Sequence, residues 1–204
     1  MNKKIILLLT CLFISYHTFA QKIFVWCPPE TEVATANNKL NGLNINIVIK
    51  DIRKITDTSR VECSSENLVT LVANTITRSY PSAIINVLDS NQYTASPAKD
   101  KITVRIAISA YHSASGMTAS TAIGTTEGDF SWGALPKNKW NSVAGFHVVI
   151  EDYRMETLRT LTRNIANIVS RPNIGGSLTA KKALLEAYKE ANRELLYFIE
   201  STLL

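Results

Sequence analysis

The chain has 204 residues, 46% hydrophobic and 19% charged, which is enough for one sizeable core and too little for two comfortable domains. Its formal net charge of +5 comes from basic residues scattered along the chain rather than gathered in a stripe, so the composition gives nucleic-acid binding little support.

The first twenty residues read as a signal peptide. Lys3 and Lys4 form a positive n-region, Ile5 to Ile14 a short apolar h-region, and Thr18-Phe19-Ala20 puts small residues at the positions a signal peptidase inspects. Cleavage is expected after Ala20, and losing Lys3 and Lys4 lowers the net charge from +5 to +3. The apolar run falls well short of the roughly 20 residues a spanning helix needs, so no integral membrane span is expected. Cys11 follows Thr10 too soon after the lysines to make a lipobox, which favours soluble export to the periplasm or beyond. In an oxidising space Cys27 and Cys63 are expected to pair. The loop they would close, roughly 35 residues, corresponds to about 3–4 kcal/mol in the chain-entropy model.

Residues 21–41 read as an irregular lead-in, with a short strand over Lys22 to Trp26 that Pro28-Pro29 ends. The strongest strand signal follows, in Gly42 to Lys54. Leu43, Ile45, Ile47 and Ile49 share one side of an extended chain, and Asn44, Asn46, Val48 and Lys50 the other. Ser64 or Ser65 can cap a helix whose apolar face carries Leu68, Val72 and Ile76, and Pro81 stops it. Ala83 to Leu88 reads as a strand. Lys101 to Tyr111 is another, with Ile102, Val104, Ile106, Ile108 and Ala110 facing in and Thr103, Arg105, Ala107 and Ser109 facing out.

From His112 to Lys139 the pattern dissolves into a long Ser/Thr/Gly-rich loop, part of which could pair weakly around Met117 to Ile123. Trp140 to Glu151 and Thr157 to Ile168 read as an antiparallel pair. After Gly175-Gly176 a long amphipathic helix runs from a Ser177 cap to about Leu203. The expected fold is α+β: a single domain over residues 42–204, with one mostly antiparallel sheet and two helices packed on one face.

The strand ending Val48-Ile49-Lys50-Asp51-Ile52-Arg53, the helix after it, and the closing helix that starts Thr179-Ala180-x-x-Ala183-Leu184 carry a resemblance. The chain resembles small bacterial envelope proteins and lipoproteins that share the fold of the curli-secretion channel periplasmic domain and of the Tol–Pal translocation protein amino-terminal domain. That resemblance implies a non-catalytic assembly or interaction module, with a sheet face and a helical face open to partners. The chain departs from the pattern in lacking a lipobox and in the length of its loop.

The residues themselves offer few sites. Asp51 and Arg53 share one face of a strand, either as a polar recognition edge or as a strand-end ion pair. His147 and Glu151 share another face, with His112 on a neighbouring strand, but no zinc-site spacing is present and no metal is expected. Neither a nucleophile elbow nor a phosphate loop occurs, and neither catalysis nor a cofactor is expected. Phe130, Trp132 and Trp140 lie in or beside the long loop, as a protein contact, as a glycan or lipid platform, or as rings tucked back to close the sheet. The expected function is binding to another envelope protein, with glycan or lipid binding as the alternative.

Overall fold

The structure is a computed structural model that describes residues 23–29, 36–53, 60–116, 135 and 138–204. Its elements are β1 (Ile23–Val25), β2 (Asn44–Asp51), β3 (Arg60–Val61), α1 (Ser65–Ser79), β4 (Ile84–Leu88), a 3-10 turn (Ser90–Thr94), β5 (Ile102–Ser115), β6 (Lys139–Met155), β7 (Thr157–Pro172) and α2 (Gly176–Leu203). The seven strands form one sheet, and both helices pack on one face of it. The expected α+β class is what the structure shows.

The sheet is mixed rather than mostly antiparallel. β2 runs parallel to both β4 and β5, and β1 runs parallel to β3, while β1–β5, β5–β6 and β6–β7 are antiparallel. The reason is connection length. Parallel neighbours need a crossover, and α1 supplies it between β2 and β4, whereas β6 turns straight into β7.

β5 is the centre. Along one edge its first half pairs with β2, from Ile102 to Ile108, and its last part with β1, at Ser113 and Ala114. Its other edge pairs with β6 throughout. Between Ile108 and Ala110 the register slips, so two residues of β5 face one of β6. The alternation reverses there. Ile102, Val104, Ile106 and Ile108 face the helices as expected, and beyond the bulge Tyr111 takes up that side, with its ring edge-on to Tyr188 of α2 at 5.3 Å, while Ala110, opposite Gly145, stays buried.

The helix-side core unites Ile45, Ile47 and Ile49 of β2 with Phe146, Val148 and Ile150 of β6, under Leu68, Val72 and Ile76 of α1 and Leu184, Ala187 and Leu195 of α2. The opposite face is less polar in its surroundings than the alternation implies. Asn46, Val48, Thr103, Arg105 and Ala107 are all buried there. The chain after β4 folds back over this face, and Arg105 fastens it by donating to the carbonyls of Gln92, Tyr93 and Ala95 while pairing with Glu151 at 2.7 Å. A guanidinium satisfied by three carbonyls and a carboxylate tolerates burial that a lone charge would not.

Ser64 caps α1 by accepting from the Asn67 amide. α2 begins one residue before the expected Ser177 cap and without a side-chain cap: Gly175, in the left-handed region at φ 86°, precedes it, and Thr179 Oγ1 donates back to the Ile174 carbonyl. Cys27 and Cys63 form the expected disulfide, tying the residues after β1 to those before α1.

Candidate functional site

Of the sequence-derived candidates, Trp140, Asp51 and Arg53 lie among the described residues. Phe130 and Trp132 lie outside the described residues, as do Met117 to Ile123. Trp140 is buried, packed edge-on against Phe24 at 5.5 Å, and Phe24 in turn stacks on Trp26. These rings close the end of the helix-side core, so among the described residues the aromatic cluster has a packing role.

Asp51 and Arg53 form a closed unit. Arg53 donates from Nε and Nη2 to the carboxylate of Asp51, with the shortest contact at 2.6 Å, and its amide donates to Asp51 Oδ1 at 3.0 Å. The Arg53 side chain is 2% exposed and that of Asp51 is 7%, so neither presents a polar edge to solvent. His147 and Glu151, on one face of β6, are each held by a different neighbour. His147 Nδ1 lies 2.6 Å from Asn164 Oδ1, and Glu151 is held by Arg105. Among the described residues no group of three or more His, Cys, Asp or Glu is gathered as a metal site would need.

What remains open is the far side of β7. This strand runs from Thr157 to Pro172, about 50 Å at ordinary strand rise. It pairs with β6 alone, so among the described residues its other edge has no strand partner. Arg159, Arg163 and Arg171 punctuate it, and Pro172 ends it, which are the devices that keep an edge from pairing indiscriminately. Arg163 lies over the Phe198 ring and Arg171 bonds Glu186, so both lean toward α2.

At the start of β7 the hairpin with β6 turns through Glu156 in the left-handed region, φ 56°. There an open cleft of about 710 Å³ lies between the hairpin and the end of α2, lined among others by Asp152, Arg154, Met155, Arg159 and Leu204. Arg154 donates to Asp152 from Nε at 2.9 Å and from Nη2 at 2.6 Å. The hydrogen bond from Arg154 holds the Asp152 carboxyl below its ordinary range, outweighing the opposing effect of burial. The cleft thus offers a fixed ion pair, a second guanidinium and exposed apolar side chains.

The cleft and the long edge were both hidden from sequence reasoning. Strand order decides which strand is last in a sheet, and order is not written in alternation. A usable signal did exist: Asp152-Tyr153-Arg154 repeats the Asp51-Ile52-Arg53 pattern, and both make the same pairing of Arg with the Asp two residues before it.

No protein-family model matches the chain, and no curated protein matches its sequence. Among solved structures it is similar to a Xanthomonas campestris protein of the DUF330 family, at 9% identity and TM-score 0.44, over 89% of this chain and 94% of that one. A hypothetical protein from Chlamydia trachomatis gives 11% identity and TM-score 0.44, over 79% of this chain and 98% of that one. The PelC dodecamer from Paraburkholderia phytofirmans gives 11% and 0.33, over 78% of this chain and 93% of that one. At such values these likenesses assign neither a family nor a function, and they do not show the expected resemblance to the curli-secretion and Tol–Pal domains.

Proposed function

We propose that this chain is an exported, non-catalytic module of the bacterial cell envelope that binds another envelope protein, with the outer edge of β7 as its docking element. The observation that carries the reading is the edge itself: sixteen residues of strand whose outward main-chain groups have no partner strand among the described residues. An extended segment of a partner can add to such an edge, with main-chain hydrogen bonds supplying affinity and alternate side chains supplying selectivity. Export is supported by the signal-like leader and by the disulfide, which belongs to an oxidising compartment. No helix among the described residues is long and apolar enough to cross a membrane.

A photo-crosslinking residue placed at Thr160 on β7, and separately at Glu190 on the exposed side of α2, tests this in the protein's own envelope. One protein adduct formed from Thr160 and absent from Glu190 supports strand addition. No adduct from β7, together with lipid or glycan co-purifying with the protein, would move the assignment to the ligand-binding alternative. The cleft at the hairpin, with its guanidinium groups and apolar walls, is the place that alternative would use.

A further inference from the structure

The opposite end of β7 carries a different surface. The chain from Arg171 to Leu178 is exposed throughout, as it leaves the sheet and enters α2. Two apolar side chains stand out of it: Ile174 is 78% exposed and Leu178 62%. Leu178 shares its helix face with Lys181 and Lys182, three and four residues on, and both lysines are exposed. Lys139 lies alongside, paired with Pro172 across the β6–β7 ladder. From Arg171 to Leu185 the chain contains no acidic residue, and the carboxylate nearest in sequence, Glu186, is bound by Arg171.

An ordinary solvated helix start does not look like this. First turns favour acids, because the helix dipole puts partial positive charge there, yet α2 has none in its first turn. Lysines near that end add to the unfavourable charge, and two large apolar side chains are left in water beside them. Both features become favourable at an interface that is anionic in its outer layer and apolar just beneath. The patch also sits at the pole where the chain enters the sheet: Ile23, Ala114, Asn141 and Ser170 form one transverse row across β1, β5, β6 and β7.

We propose that this pole docks on an anionic phospholipid membrane, with Ile174 and Leu178 entering the headgroup boundary and Lys139, Lys181 and Lys182 facing lipid phosphates. The contact is peripheral and reversible. It is independent of the β7 edge and leaves that edge clear for a protein partner.

The full chain is co-sedimented with vesicles of phosphatidylcholine alone and with an equal mixture of phosphatidylcholine and phosphatidylglycerol. It binds the mixed vesicles and is released by raised salt, as screening of exposed charges requires. K181E/K182E weakens that binding by more than about tenfold, since each basic residue near an anionic surface contributes roughly a factor of five. I174S/L178S weakens it too, and because all four positions are solvent-exposed, both variants keep the circular dichroism of the parent. Equal binding to both vesicle types, or binding unchanged in both variants, would place the attachment elsewhere, in the apolar leader for instance, and would overturn the proposal. So would no binding to vesicles, and a protein complex lost in the same variants would then reassign the patch to a protein contact.

Discussion

Arg53 Nη1 donates to the carbonyl oxygen of Tyr111 at 3.2 Å, in the stretch of β5 between its pairing with β2 and its pairing with β1. β2 stops pairing at Ile108 and β1 begins at Ser113, so the edge of the central strand would otherwise be open between them. The Asp51–Arg53 unit fills that interval. Its burial follows from this position, because a guanidinium inserted in a sheet must be satisfied on every side.

This gives the two Asp-x-Arg units losses of different size. Arg53→Ala leaves the Asp51 carboxylate buried and unpaired and is expected to cost about 3–5 kcal/mol. Arg154→Ala breaks a pair whose side chains are 38% and 16% exposed, and is expected to cost no more than about 1 kcal/mol. Urea unfolding of both variants checks this, and equal losses would contradict the role given to Arg53.

Glu200 joins three parts of the chain. It accepts from Asn37 Nδ2 at 2.9 Å, Lys39 Nζ at 2.6 Å and Tyr80 OH at 3.2 Å. Burial raises the pKa of its carboxyl, but the hydrogen bonds from Lys39, Asn37 and Tyr80 together with the Lys39 charge outweigh that and hold it below its ordinary value. A carboxyl depressed in the folded state stabilises it fully above the unfolded pKa, and that contribution is lost as pH falls through the folded pKa. Glu200→Gln should therefore destabilise the protein at neutral pH and flatten the acid limb of its stability profile, read by thermal unfolding from neutral pH downward. An acid limb identical to the parent's would count against the linkage.

Gly145 faces the bulge of β5. A Cβ there would stand 3.1 Å from Ser109 Oγ, 3.2 Å from the Ala166 Cβ and 3.2 Å from the Ile165 carbonyl oxygen. One of these is backbone of the neighbouring strand, which gives way poorly. Gly145→Ala is expected to destabilise by about 1–3 kcal/mol, against the usual gain from removing a glycine. The denaturation midpoint measures it.

The disulfide closes a separation of 36 residues between β1 and α1. Replacing Cys27 and Cys63 with serine is expected to cost about 3–4 kcal/mol. The loss should be accompanied by a change in tryptophan fluorescence, because Trp26 adjoins Cys27 and packs in the same aromatic cluster as Trp140.

Much of the fold was legible because alternation and helical spacing are local. Ile45, Ile47 and Ile49, Leu68 with Val72 and Ile76, and the stripe of α2 lie where their periods put them. The strand–helix–strand order over residues 44–88 was also a readable sign of parallel pairing, and an antiparallel expectation overlooked it. The bulge at Ser109 was not legible: Ala110 continues the apolar alternation, and nothing local marks the slip that turns Tyr111 inward. Arg105 looked like a surface residue because its partners, the carbonyls of residues 92, 93 and 95, are main-chain groups that side-chain patterns do not report. The fate of Asp51 and Arg53 hung on where β1 would attach, which is a matter of topology.

The parallel placement of β2 has a kinetic side. β6 and β7 meet by turning at Glu156, so their pairing grows residue by residue from a short loop. Ile47 must instead find Val87 across all of α1, and Val104 across α1, β4 and the 3-10 turn. Contacts of that span close large loops before they return any stability, which makes them slow to form. The hairpin side of the sheet is thus the natural early partner for β5, and the longer-range attachments of β2 and of β1 along its other edge are expected to follow. Until they complete, β5 stands with one bare flank, and the interval in which the chain is most exposed to mispairing is the one that Arg53 finally closes.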